Sequence, residues 1–429
     1  MTGILVLAGL FAALLFGVDI AFALAGVGIV MLVLGDFSTL IVAQTMMASI
    51  DNFILLAVPL FLLMSNILLR GGAGGDLFAA VQSWVGHWPG GVAVATILSC
   101  ALFASISGSS VATAATVGTV AIPAMIERGY ERRFVYGLLA AGGTLGILIP
   151  PSIPMIVYGV LTEESIVELF LAGIGPGLLL TALFVGYAVI HALRGGQLPS
   201  PRASRRQRVT ATVRAMPTLG LALAIVLGIY FGVFTPTEAA AIGFAGSLII
   251  TLLILRSLKL RDLPEIAITS MKTTVMILFI IAGAKVFGYA LTVYRIPQDV
   301  TELVVANIAT PVGLIAAICA LLLVMGCVLE ALSMMLLMLP ILQPSLAGLG
   351  IDPIWFGVLF TMMIECALIT PPVGLNLFVI RAVAVQAQPN PVSVGDVVHG
   401  TLPFVVLILL AVAAVVAFPD IALFIPFKL

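Results

Sequence analysis

Two adjacent prolines in the middle of an apolar run decide what this chain can become. The run extends from about Phe134 to Val160 and carries Gly142-Gly143-Thr144-Leu145-Gly146-Ile147-Leu148-Ile149-Pro150-Pro151-Ser152-Ile153-Pro154 at its centre. It is long enough to cross a bilayer, for which about 20 apolar residues suffice. It cannot cross as one continuous helix. Pro150 and Pro151 have no backbone N–H and clash with the preceding turn, at about 3 kcal/mol for each interior proline. Hydrocarbon tolerates such broken backbone only where it is buried in protein or lines a polar cavity. The break is therefore a candidate binding site.

The pattern returns in Ala367-Leu368-Ile369-Thr370-Pro371-Pro372-Val373-Gly374-Leu375-Asn376, inside a second apolar run from about Pro353 to Arg381. Pro123, Gly129 and Pro150 each find a counterpart 221 residues on, at Pro344, Gly350 and Pro371. Paired interrupted spans in corresponding positions of two halves point to a transporter's substrate and ion site.

Composition agrees. The 429 residues are 62% hydrophobic and only 9% charged, where a soluble chain carries about 25% charged residues. The expected class is an all-α polytopic membrane protein set in the lipid bilayer. A net charge of −1 gives a nucleic-acid partner no electrostatic footing. The four cysteines, Cys100, Cys319, Cys327 and Cys366, sit in apolar runs without metal-ligand spacing and read as small core residues. The amino terminus lacks a basic n-region, so no cleavable leader is expected.

Three segments follow in order: a first repeat at 1–194, a basic cytoplasmic linker at 195–215 and a second repeat at 216–429. Each repeat is expected to hold about five spans, one re-entrant helical hairpin and one broken span. Spans are expected near 3–17, to Gly35, and from about Ile41 to Arg70. An amphipathic piece from Gly71 to Gly91, with Trp84, His87 and Trp88, suits the membrane interface. The first hairpin, 91–125, turns at Ser105-Ile106-Ser107-Gly108-Ser109-Ser110, and the first broken span covers 134–160. The second hairpin, 312–344, is interrupted near Gly326 to Ser333, and the second broken span covers 353–381.

Basic residues set the orientation. Arg194, Arg202, Arg205, Arg206, Arg208 and Arg214 mark one cytoplasmic loop, and Arg128, Arg132 and Arg133 mark another. The counterpart of the latter, Ser345 to Asp352, has no basic residue. The halves are therefore expected to be inverted, with both termini periplasmic.

Four stretches together resemble a family. Phe234-Thr235-Pro236-Thr237-Glu238-Ala239-Ala240-Ala241, Ser107-Gly108-Ser109-Ser110, Gly143 to Ser152 and Ile369 to Phe378 are similar to motifs of the large membrane subunit (DctM-type) of TRAP transporters, the tripartite ATP-independent periplasmic carriers. The resemblance covers nearly the whole chain. It implies sodium-driven uptake of organic acids, an elevator-type transport domain within a scaffold, a small membrane subunit (DctQ-type) and a periplasmic substrate-binding protein (DctP-type). It also implies the bacterial inner membrane.

The chemistry at the breaks can be argued from the residues. Sodium is a hard cation that takes oxygen ligands, which unwound carbonyls and half-helix C-termini supply. The expected sodium-holding positions are Ser105, Ser107, Gly108, Ser109, Gly143, Gly146, Pro150, Gly326, Glu330, Thr370, Pro371 and Gly374, for two or more ions. Half-helix N-termini offer N–H groups to a carboxylate. The expected substrate positions are Ser110, Thr113, Thr144, Pro151, Ser152, Ser333, Glu365 and Asn376. The first hairpin's hydroxyls are expected against the first break, and Glu330 and Ser333 against Glu365, Thr370 and Asn376. Glu330 and Glu365 are acids inside the membrane, functional by default as cation ligands, proton carriers or partners of Lys285. Lys285 reads as snorkelling to the outer interface or touching a partner subunit. Asp19 and Glu238 read as helix caps, and His87, His191 and His399 as span edges.

Other classes are weighed against this. An intramembrane hydrolase with Ser107 or Ser109 as nucleophile needs a base within reach, and no histidine lies at mid-depth. A passive channel fits inverted repeats less well than alternating access does. A stand-alone organic-anion carrier, coupled to protons or sodium, would need no binding protein.

Overall fold

The computed structural model describes residues 2–195, 201–307, 310–326, 329–371, 374–387 and 392–428, which are helices joined by short turns with no strand among them. The sequence expectations on Cys327, Pro372 and Val373 lie outside the described residues. Among the described residues seven helices are long and apolar enough to cross a membrane: Phe53–Arg70, Ile166–Gly195, Arg205–Tyr230, Pro236–Ile254, Leu260–Val293, Ala331–Gly348 and Val394–Ala417.

The first hairpin and the two broken helices supply much of the buried heart, while the second hairpin's arm Pro311–Gly326 leaves Val312, Leu321 and Val324 exposed. The first hairpin consists of Gly91–Ser107 and Ser110–Ile126, and the first broken helix of Arg132–Thr144 and Ile153–Thr162. The second hairpin is Pro311–Gly326 with Ala331–Gly348, and the second broken helix is Pro353–Leu368 with Leu375–Ala387. Every residue from Ile153 to Thr162 is buried, as is every residue from Phe134 to Thr144. A helix buried on all sides must be apolar all round, and these are.

A shift of 221 carries the ends of the first-half ranges to within four residues of the second-half ones. Ser110–Ile126 maps within a residue of Ala331–Gly348, and Gly129 and Gly350 both adopt left-handed backbone, at φ +79° and +64°. The packing is crossed between halves. Leu375–Ala387 lies against Ser110–Ile126, and Ile153–Thr162 against Ala331–Gly348.

Around this heart stand helices with lipid-ready flanks. Arg205–Tyr230 leaves Val209, Val213, Met216, Leu223 and Leu227 exposed, an apolar face that suits acyl chains. The basic stretch before it is helical from Arg205, because Ser204 and Gln207 close a capping box there. The amphipathic segment forms Ala73–Val85 and docks on that same helix. Trp84 Nε1 donates to Thr212 Oγ1 at 3.0 Å, the Arg208 guanidinium lies 5.4 Å from the Trp84 ring, and Arg214 meets Asp76 at 2.7 Å.

Asp19 and Glu238 do cap helices. The Asp19 carboxylate accepts from Ala21 N at 3.1 Å, and Thr235 and Glu238 form a reciprocal capping box. The span expected from Ile41 to Arg70 is interrupted. Helix Leu40–Ile50 ends at Asp51, and Asn52 takes an extended conformation and accepts from Ile54 N at 2.9 Å, starting a 3₁₀ turn at Phe53. Two consecutive polar side chains that favour local turns over helix explain the break. Its counterpart, Leu263–Val293, runs unbroken for 31 residues. Two short helices, Ile296–Asn307 and Asp420–Lys428, go beyond the sequence reading.

Candidate functional site

The first hairpin turns in two residues. Gly108 takes φ +58°, where a side chain would be strained, and Ser109 is extended and caps Ser110–Ile126. The Thr113 hydroxyl donates to the Ser109 carbonyl at 2.9 Å and so accepts from Ser107, 2.7 Å away. At the facing break, helix Arg132–Thr144 tightens into a 3₁₀ turn over Leu145–Ile147, and the chain passes Pro150-Pro151. Ser152 then caps Ile153–Thr162, and its hydroxyl donates to the Ile147 carbonyl.

Glycines bring tip and break together. A Cβ on Gly146 would lie 2.6 Å from the Ser109 carbonyl oxygen and 2.8 Å from Thr113 Oγ1. One on Gly108 would lie 2.7 Å from the Pro151 carbonyl oxygen, and one on Gly143 would lie 2.6 Å from Ala114 Cβ. The contact is rich in carbonyl and hydroxyl oxygens, the ligand type a hard monovalent cation takes. Ser105 stands apart, its hydroxyl bonded back to Leu102 O at 2.8 Å.

In the second half, Glu330 occupies the position of Ser109 and is the residue before Ala331–Gly348. Ser333 Oγ donates to Glu330 Oε1 at 3.1 Å. Gly326 packs so closely on the second broken helix that a Cβ there would lie 2.1 Å from Ala367 Cβ. Thr370 Oγ1 donates to Cys366 O at 2.6 Å, and Gly374 takes φ +45° immediately before Leu375–Ala387.

Two cavities meet these parts. One of about 150 Å³ is bounded by Gly108, Ser109, Ser110, Ile153, Glu330 and Leu375, with Leu62, Thr273, Met276 and Ile277 facing them. The other, of about 280 Å³, borders Gly326, Glu330, Ser333 and Leu375 from the side of Leu14 and Ile20. The first residues of four half-helices, Ser110, Ile153, Ala331 and Leu375, line the smaller cavity. Helix N-termini carry unsatisfied N–H groups and partial positive charge. Glu330 supplies the acidic group on its wall, and among the described residues no Lys or Arg lines it.

Of the expected substrate positions, Ser110 lines the smaller cavity and Ser333 the larger. Thr113, Thr144, Ser152, Glu365 and Asn376 are fully buried, Pro150 and Pro151 are buried in the break, and none of these lines either cavity. Asn376, expected opposite Glu330 and Ser333, instead reaches the first hairpin. Its Nδ2 donates to Ser110 Oγ at 2.6 Å and to Ala140 O at 3.0 Å. The crossed packing of Leu375–Ala387 on Ser110–Ile126 brings it there. Glu365 has neither carboxylate oxygen hydrogen-bonded. The histidines lie away from both cavities: His191 stacks on Phe134 at 3.9 Å, and His399 Nδ1 meets Gly395 O at 2.7 Å. Thr273, Met276 and Ile277 escaped the sequence reading. Their i, i+3, i+4 spacing marks one helix face, but nothing in it says which face meets the hairpin tips.

Paired hairpins and broken helices among many apolar helices define a class, the all-helical polytopic membrane protein. The fold is shared with the Alcanivorax borkumensis YdaH transporter, at TM-score 0.61 and 15% identity over 89% of this chain and 88% of that one. It is likewise shared with Neisseria gonorrhoeae MtrF, at TM-score 0.61 and 16% identity over 90% and 83%.

Residues 7–421 match the family model described as the tripartite ATP-independent periplasmic transporter, DctM component, and the chain belongs to that family. It is 40% identical to the C4-dicarboxylate TRAP transporter large permease protein DctM of Pseudomonas aeruginosa, over 88% of this chain and 87% of that one. To the ectoine TRAP transporter large permease protein TeaC of Halomonas elongata it is 38% identical, over 91% and 90%. To the sialic acid TRAP transporter large permease protein SiaM of Vibrio cholerae it is 33% identical, over 96% and 95%. These relatives are permease subunits, so the chain is a multi-pass transport subunit and not an enzyme.

Proposed function

We propose that the chain carries a small organic anion across the bacterial inner membrane, coupled to sodium. A periplasmic binding protein delivers the anion, and a small membrane subunit completes the permease. The observation that carries the anion is the meeting of four half-helix N-termini at one cavity. Such termini bind carboxylates through N–H groups and dipole. The substrates in the names of the three relatives above all bear a carboxylate, which supports the class without selecting a member.

An anion beside Glu330 would be repelled unless cations stand nearby. Sodium at the oxygen-rich contacts would offset that repulsion and couple the two movements. We assign the ions to the first tip and break, around Ser107, Gly108, Ser109, Gly143 and Gly146, and to the second, around Gly326, Thr370, Pro371 and Gly374. The hairpins and broken helices would move as one elevator-like body against the lipid-facing helices.

Changing Thr370 to Val removes one hydroxyl oxygen at similar volume. The sodium concentration for half-maximal uptake should rise about tenfold, equivalent to about 1.4 kcal/mol in ion binding. Uptake that ignores sodium and follows a proton gradient would reject the ion assignment and turn attention to Glu330 and Glu365.

The inverted arrangement has its own test. Glu127 and Gly348 are exposed equivalents 221 residues apart, and they avoid the left-handed backbone of Gly129 and Gly350. Single cysteines at Glu127 and Gly348 should react with an impermeant maleimide from opposite sides, the former from the cytoplasm. Labelling from one side would end the inverted reading and the orientation of both termini with it.

A further inference from the structure

Lys285 lies within the apolar helix Leu263–Val293, eight residues before its end. At 1.5 Å per residue that is about 12 Å, farther than a lysine stem can snorkel. Its side chain instead borders a cavity of about 370 Å³ walled by this helix, by Ile296–Asn307 and by the second hairpin arm Ala331–Gly348. Tyr289, Thr292, Gln298 and Gln343 share the lining, and among the described residues no Asp or Glu does. Among the described residues Lys285 has no ion-pair partner. The Gln298 side-chain oxygen is also buried without a hydrogen-bond partner. The Lys285 ammonium, half-buried and without an acidic partner among the described residues, gives this cavity a positive field. The Gln298 oxygen, an acceptor, is turned to leave the amide N–H groups for an incoming anion.

We propose that this cavity is an anion-accepting vestibule in which Lys285 selects small carboxylates or sulfonates over cations. Its ammonium supplies the charge, and the Gln343 and Gln298 amides and the Tyr289 hydroxyl supply neutral donors. The vestibule lies on the helix that also faces the hairpin tips, for Thr273 is twelve residues, about 18 Å, before Lys285. As a stage on a transport path it rests on the function proposed above. As an anion site it stands on its own lining.

The test needs no knowledge of the transported substrate. A cysteine at Gln343 is titrated in the full chain in nanodiscs with an anionic probe, 2-sulfonatoethyl methanethiosulfonate, and with the neutral 2-hydroxyethyl reagent. Rates are corrected for labelling of the native chain. In the Lys285→Gln background the anionic reagent should react about fivefold more slowly or worse, the effect of losing one charge a few ångströms away. The neutral reagent should stay within about twofold, and Lys285→Arg should restore the anionic rate, since it keeps the charge. A second reporter at Thr292, on the opposite wall, repeats the measurement if the first variant fails to fold. Equal slowing of both reagents, or no slowing of either, would overturn the proposal.

Discussion

Replacing Gly137 with alanine should lower the midpoint of thermal unfolding more than the same change at any lipid-facing glycine. Gly137 lies in Arg132–Thr144 and crosses Gly400 of Val394–Ala417 with the two backbones in contact. A Cβ on Gly137 would lie 1.8 Å from the Gly400 carbonyl oxygen, and one on Gly400 would lie 1.9 Å from the Arg133 carbonyl oxygen. Neither obstacle is a flexible side chain, so the helices themselves must separate. Within a bilayer, helices associate through close packing and small residues rather than through a hydrophobic force, and separation forfeits that packing along the crossing. The expected cost is about 3 kcal/mol, the upper part of the range for overpacking. Gly186→Ala is the control, because no neighbour lies within 4 Å of a Cβ there. In detergent the Gly137 variant should unfold several degrees below the native chain while the Gly186 variant unfolds with it, and Gly137→Leu should yield no folded protein. A Gly137→Ala chain that unfolds with the native one would contradict the crossing geometry.

The parts of this structure that sequence reveals are those where covalent chemistry forbids the default. Single prolines such as Pro176, Pro217 and Pro403 sit inside unbroken helices. The paired Pro150 and Pro151, and their counterpart from Pro371, remove two successive N–H groups, so both breaks are legible. The clustered hydroxyls from Ser105 to Ser110 mark a turn because they favour local caps over helix. The caps at Asp19 and Glu238 are legible because short polar side chains before apolar runs have few other uses in a membrane. The interruption at Asp51 and Asn52 is harder to see. Its residues suit a turn, yet a surrounding apolar run of such length reads as one span.

What remains hidden is set by tertiary packing. Asn376 belongs to the second break in the chain but to the first hairpin in space, because each broken helix lies against the other half's hairpin. No local pattern encodes that crossing. Thr273, Met276 and Ile277 resemble any apolar helix face until the hairpin tips are seen opposite them. Lys285 reads as a snorkelling residue until the cavity beside it is seen. Gly137 and Gly400 are two of 42 glycines, and only the structure distinguishes them from those with open space around them.

Partner dependence carries the largest effect on activity. The longest described stretch between helices that the sequence allows outside the membrane is too short to fold into a domain that captures a dilute solute; single domains start at about 50 residues. The cavity at the hairpin tips, about 150 Å³, is also small beside the 300 Å³ and upward of typical ligand pockets. Under the function proposed above, capture at low concentration falls to a separate binding protein, and the family to which the chain belongs is tripartite by name. The decisive measurement is uptake of a radiolabelled organic acid at micromolar concentration into liposomes, using the acid the cognate binding protein retains on purification. The chain alone should give little or no uptake. The chain with the small membrane subunit and the binding protein should give uptake at least tenfold above that, under an inward sodium gradient and not under potassium. Robust sodium-driven uptake by the chain alone would contradict the tripartite account, and uptake by the full set that is indifferent to sodium would contradict the coupling.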